Sequence, residues 1–389
     1  MIIRRSIIVM AILCVAFGLV RFLPSGYDFD VFWYPIAQKL QDGTTQLYDD
    51  ASREYFAAPW MMLYFVPVSW LGRDAGLFVL MVTTIITIIF VMEVLAQEQT
   101  FPRVATYLAM INFPMFSLLF LGQVDFFPLL GMIIGWWGIR QRKPWALGLG
   151  FWFMVFKPIN VILVGLLFLL EIRHWHWHQW LKVFSLPIVS LVMAMPVCGT
   201  DWIIRYIQNP GQHQPDDTLI QTIWRAADQL GIPTLLVALV GLAALAVFLK
   251  IAWQQGVNRW TLSLALATNL LFTPYAYNNH YLLLLPVFLW ISAGNTYSMV
   301  LLYAIMNLTP VLRAAFSLDP FPLDILYPLV IYIMLWTGFR SLEPKVASPV
   351  ERDFHVPAPA PGQSPFRRIR PALVPPQRVC RCPGVLLYW

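Results

Sequence analysis

Charge is scarce in this chain. Only 12% of its 389 residues are Asp, Glu, Lys or Arg, where a soluble domain carries about 25%. That deficit, beside 59% hydrophobic residues and a mean hydropathy of +0.66, excludes a water-bounded fold of this length. Cysteine is scarce too. Four residues make no disulfide framework: Cys14 and Cys198 lie in or beside apolar segments, and Cys380 and Cys382 form a lone C-x-C without the second ligand pair of a tetrahedral metal site. No metal-ligand set is therefore assigned. The opening MIIRRSIIVMAILCVAFGLVRFLPSG has the basic start and apolar run of a signal peptide but lacks an A-x-A-like cleavage site, so it reads as a retained first helix. Seven Lys/Arg against three Asp/Glu fall within 341–389, placing +4 of the net +6 in the tail. The basic balance thus points to anionic lipid and gives no sign of a nucleic-acid partner.

Apolar segments instead fill the chain, at roughly 6–23, 57–71, 75–96, 103–121, 124–139, 144–171, 181–198, 232–250, 260–275, 281–293, 297–312 and 322–339. A spanning helix needs about 20 mostly apolar residues, because backbone polar groups in hydrocarbon must bond internally. Several segments are shorter or broken by Pro and Gly, so 11–13 transmembrane helices are expected over a domain 1–340. Two polar loops interrupt them, 24–58 and 199–231. Residues 341–389, with ten prolines, read as a disordered Pro/Arg-rich cytoplasmic tail.

The positive-inside rule puts Arg4, Arg5, Arg173, Lys182, Lys250, Arg259 and Arg340 in the cytoplasm. Both polar loops and the YAYNNHY stretch (275–281) then share the outer face of the cell membrane. The middle leaves a choice. Four apolar segments between the first loop and the basic Arg140–Lys143 turn would return the chain outside. Either one of them is re-entrant, or that turn breaks the charge rule and 144–171 crosses once, kinked at Lys157-Pro158. The RHWHWHQW run (Arg173–Trp180) spreads its histidines around a helix at i, i+2 spacing and reads as an aromatic, basic belt.

Few polar residues stand where chemistry at a membrane needs them. Asp28 and Asp30 follow the first helix and precede VFWYPIAQKLQ, which reads as a short amphipathic interfacial helix. They suit a base or metal ligand, or else cap that helix. Lys157 is alone in WFMVFKPINVILVGLLFLL, where a charge at membrane depth marks a functional site. It suits an anionic group such as phosphate, or snorkels to the interface. Gln123 and Asp125 interrupt another apolar stretch and bind a sugar hydroxyl or bridge helices. His280, in TPYAYNNHYLLLLP, is a neutral-pH donor to phosphate or a satisfied polar residue.

In order, YDFDVFW with QLYD, Gly122-Gln123, Lys157-Pro158 and the T-P…N-N-H-Y of Thr273–Tyr281 resemble the motifs of the polyprenyl-phosphate-sugar glycosyltransferases of family 87, in the GT-C superfamily. The resemblance covers roughly 20–290 and reaches, in kind, the mycobacterial mannosyltransferases that extend phosphatidylinositol mannosides. It implies an all-α polytopic membrane protein, a GT-C-like bundle whose outer-face loops carry short interfacial helices. It implies a lipid-phosphate sugar donor, a lipid or cell-envelope glycan acceptor, and inverting hexose transfer, weighted toward mannose. By match to D-F-x-V-Y, Asp28 is the leading base; Asp30 falls on the variable position, and Phe32 replaces the usual Tyr. Lys157 and His280 take the donor phosphate; Gln123, Asp125, Asn279 and Tyr277 bind substrate. No cofactor is required, and a divalent cation is left open. The rival classes are a secondary transporter, against which stands the lack of two repeated halves, and an O-antigen polymerase or ligase.

Overall fold

Apolar runs closed by Pro, Asn and Gly fold into helices whose ends can be read from their caps. The computed structural model describes residues 2–22, 26–43, 47, 57–97, 101–208, 220–316 and 322–337. Among the described residues there are helices and no strands. In chain order they are α1 (Ile2–Phe22), a π-helical turn Phe29–Trp33, α2 (Tyr34–Gln41), a 3₁₀ turn Pro59–Met61, α3 (Met62–Ser69), α4 (Arg73–Ala96), α5 (Arg103–Met110), α6 (Phe113–Leu121), α7 (Phe126–Arg140), α8 (Pro144–Met154), a 3₁₀ turn Pro158–Asn160, α9 (Ile162–Ile172), α10 (Trp177–Cys198), α11 (Trp202–Gln208), α12 (Ile223–Gln229), α13 (Thr234–Gln255), α14 (Arg259–Phe272), a 3₁₀ stretch Asn278–Leu284, α15 (Leu285–Gly294), α16 (Thr296–Ala315), a 3₁₀ turn Leu323–Ile325 and α17 (Leu326–Thr337). Asparagine starts several of them: Asn112 accepts from Met115 N at 2.9 Å, Asn258 from Thr261 N at 2.8 Å and Asn295 from Tyr297 N at 2.8 Å, each satisfying an orphan helix donor.

Among the described residues four helical runs are long and apolar enough to cross a membrane: Arg73–Ala96, Val104–Leu121 (α5 with α6), Trp177–Pro196 and Thr234–Gln255. The protein is an all-α polytopic membrane protein. Met1–Glu343 form one unit. The tail expected from residue 341, and most of the first polar loop beyond 43, lie outside the described residues, as do 209–219 of the second loop.

Pairs of touching residues fix the helix directions. In the α7–α8 hairpin a Cβ on Gly150 would fall 2.7 Å from Gly131 O and from the Gly135 backbone, and one on Gly138 would fall 2.7 Å from Leu147 N. The helices are therefore antiparallel, held close by small residues. Gly150→Ala is expected to force this hairpin apart at a cost of about 1–3 kcal/mol, read as a lowered melting temperature in detergent.

Beyond α8 the chain turns back. A Cβ on Gly165 would touch Met154 and Phe151 at 3.8 Å, and the Phe151 and Phe168 rings lie 6.3 Å apart, so α9 descends beside α8. At the lower end of α9, Glu171 accepts from Val257 N at 2.8 Å, and Arg173 lies over Trp253 at 3.9 Å. Trp260 at the start of α14 donates to Leu335 O at the end of α17 at 2.9 Å.

The middle thereby closes. Segment 57–71 does not cross: Trp60 packs on Trp202 at 6.2 Å, while Ser69, at its other end, bonds Gln41, and both partners belong to one end of the bundle. Segment 144–171 runs to that same end and back, turning at Lys157. The runs that alternate between ends are α1, α4, α5–α6, α7, α8, α9, α10, α13, α14, α15, α16 and α17. One end holds segments 26–43, 122–125, 155–161, 220–233 and 273–284. The other holds the turns bearing Arg140, Arg142, Lys143, Arg173 and Arg259. Of the described carboxylates, only Glu93 and Glu171 sit toward that basic end.

Candidate active site

Two glycines seat the first loop on the end of α6. Gly26 (φ 91) donates its N–H to Phe120 O at 2.7 Å, and Gly122 (φ 70) ends α6 in the left-handed region. A Cβ on Gly122 would approach Phe29 Cβ to 2.9 Å and one on Gly26 would approach Leu77 to 2.6 Å, so only Gly allows this approach. Trp33 stacks on Phe65 at 5.3 Å and fixes the other side of the turn. Asp28 precedes the π-helical turn but makes no capping bond; such turns often mark functional sites. Its side chain instead points at the α6–α7 break.

There the polar residues of four breaks in helix meet. Gln123 Nε2 donates to Asp28 Oδ2, and Gln123 Oε1 accepts from Lys157 Nζ at 2.5 Å. Lys157 sits where Pro158 interrupts the helix, and its ammonium also reaches Asp125 Oδ2 at 3.2 Å. Asp125 further accepts from Asn160 Nδ2 at 3.1 Å and Asn279 Nδ2 at 2.6 Å. His280 Nε2 lies 3.8 Å from Asp125 Oδ1. The imidazole Nδ1 accepts from Tyr277 N at 3.1 Å, which leaves the proton on Nε2, and that atom has no hydrogen-bond partner.

Burial is nearly complete. Asp28 is 7% exposed and Lys157 8%, while Asp125 and His280 are fully buried. Removal from water pushes the Asp28 carboxyl up to about 6, against the opposing pull of Lys157 and the Gln123 hydrogen bond. Burial also drives His280 down to about 4. The ring is therefore a neutral donor.

The site thus gathers Asp28, Gln123, Asp125, Lys157, Asn279 and His280. It leaves out Asp30, whose carboxylate takes Arg73 Nη2 at 2.6 Å and Nε at 2.9 Å in a half-exposed bidentate pair. Tyr277 contributes its backbone N–H, and its ring packs on Tyr275 at 4.9 Å. Two residues escaped the sequence reading. Asn160 follows Lys157 by three positions inside the same apolar stretch, a signal available beforehand. Tyr275, whose ring is 5.5 Å from His280, had none beyond its place in the motif. Among the described residues no three His, Cys, Asp or Glu side chains converge as a metal set.

The model of glycosyltransferase family 87 matches residues 55–274, more than half of the chain. The chain belongs to glycosyltransferase family 87. It is a membrane glycosyltransferase, and family membership calls for a sugar donor and a glycan or lipid acceptor. No curated protein and no solved structure matches it. The matched region contains Gln123, Asp125, Lys157 and Asn160. Asp28 and His280 lie outside it, yet the fold brings both to those residues.

Proposed function

We propose that this family 87 enzyme moves a hexose, with mannose the first candidate, from a polyprenyl-phosphate sugar to a lipid or cell-envelope glycan acceptor at the outer face of the membrane, with inversion. The observation that carries this reading is a buried carboxylate, Asp28, linked through the one amide of Gln123 to the buried Lys157. The acceptor O–H attacks the anomeric carbon and gives its proton to Asp28. The bond from that carbon to the phosphate oxygen breaks, and its electron pair leaves with the polyprenyl phosphate. Lys157 and the Nε2–H of His280 are donors suited to the charge that develops there. No step calls for a cofactor.

The outer face is supported by charge. The site end lies opposite the basic turns, which the positive-inside rule assigns to the cytoplasm. Of the rival readings, the secondary transporter is opposed by the lack of two repeated halves in the sequence.

The test is direct. Purified enzyme is incubated with a panel of radiolabelled polyprenyl-phosphate sugars and with nucleotide sugars, in the presence of membrane extract. Label is expected to move from a polyprenyl-phosphate hexose. Transfer from a nucleotide sugar in an extract freed of lipid carriers would reject the donor assignment.

A further inference from the structure

We propose that Asp125 binds no sugar and is a positioning residue that competes with Asp28 for the Lys157 ammonium, and so tunes the base. The proposal rests on Asp28 being that base. Its ground is saturation. A carboxylate offers about four acceptor sites, and those of Asp125 are taken by Lys157 Nζ, which reaches Oδ1 at 3.4 Å and Oδ2 at 3.2 Å, by Asn160 Nδ2 on Oδ1 at 3.1 Å and by Asn279 Nδ2 on Oδ2 at 2.6 Å. With the side chain fully buried, no lone pair is left for a hydroxyl of the substrate.

The link to Asp28 is directional. Lysine only donates, so Gln123 must turn its oxygen to Lys157 and its NH₂ to Asp28. One cation therefore serves two carboxylates, one by direct contact and one through an amide. Asp28 is also faced by Tyr275, close enough to interact with both carboxylates. His280 lies beyond Asp125 and is neutral. On the neighbouring turn, Asp30 and Arg73 neutralise each other. Among the described residues Lys157 is thus the one cation reaching Asp28, and Asp125 governs how much of its field is spent elsewhere.

Removing the Asp125 charge lifts a direct repulsion and releases Lys157 toward Gln123, so Asp28 ionises more readily. Removing Lys157 does the reverse. The experiment is kcat/KM against pH for the full chain in detergent, with a polyprenyl-phosphate hexose donor. Wild type is expected to lose activity below a midpoint near 6. In Asp125→Asn the midpoint should fall by roughly half a unit or more, and in Lys157→Met it should rise by as much.

A slower Asp125→Asn enzyme with an unmoved midpoint would reduce Asp125 to a structural role and overturn the proposal. So would a tenfold rise in donor or acceptor KM without a shift, the mark of a sugar ligand. Should Asp125→Asn fail to fold, Lys157→Met decides, an unmoved midpoint again overturning it. An Asp28→Asn control separates the two readings. Full activity there removes the base itself, and the present inference with it. An inactive control beside unmoved midpoints removes only this inference.

Discussion

Asp28→Asn is expected to slow sugar transfer by about 10²–10⁴-fold, the usual contribution of a general base, while leaving the melting temperature in detergent within a degree or two of wild type. The amide keeps the size of the carboxyl and retains an oxygen that can accept from Gln123, so neither packing nor the Lys157 contact changes. What it loses is the capacity to take a proton. The same assignment fixes the sign of the pH response. Burial holds the Asp28 carboxyl near 6; below that value the protonated form dominates and cannot act as base. Wild-type kcat/KM should then fall about tenfold per pH unit on the acid side and level off above it. A variant as active as wild type, or a profile flat from pH 4.5 to 7, would remove Asp28 from the mechanism.

Much of this architecture was legible because lipid imposes strong rules on sequence. Long apolar runs and the isolated Lys157-Pro158 break announced helices and a discontinuity. Parity did not resolve, for a local reason. Segment 57–71 is as apolar as a spanning helix, yet it lies between Trp202 and Gln41 at one end, and hydropathy cannot distinguish a helix buried under a loop from one in lipid. Conversely, 144–171 looks like one long run because the turn at Lys157 carries a single charge. Nor could sequence choose between Asp28 and Asp30 on physical grounds, since both follow the first helix within a few residues. The choice is made by partners 95 and 43 positions away, Gln123 and Arg73. The union of Asp125 with Asn279 spans 154 positions and left no trace in local pattern beyond two polar interruptions of apolar sequence.

The Lys157–Asp125 pair supplies the largest expected effect on stability. Lys157→Met alone should destabilise the protein by about 3–5 kcal/mol, because it strands a carboxylate that is fully buried without its cation. Pairing it with Asp125→Asn should restore most of that loss, since the asparagine is neutral and its oxygen can still accept from Asn279. Thermal melts of wild type, both single variants and the double variant form a cycle whose coupling is expected near 2 kcal/mol or more. Simple additivity would show that the two side chains do not share their charge. Recovery in the double variant has a second consequence. If neutral side chains hold the break between α8 and α9 nearly as well, stability is no reason to keep two charges there, and the restored fold should still be nearly inactive in transfer. Stable protein without turnover is the combination that a purely architectural pair would not produce, and it would tie the cost of burying Lys157 to the departing phosphate.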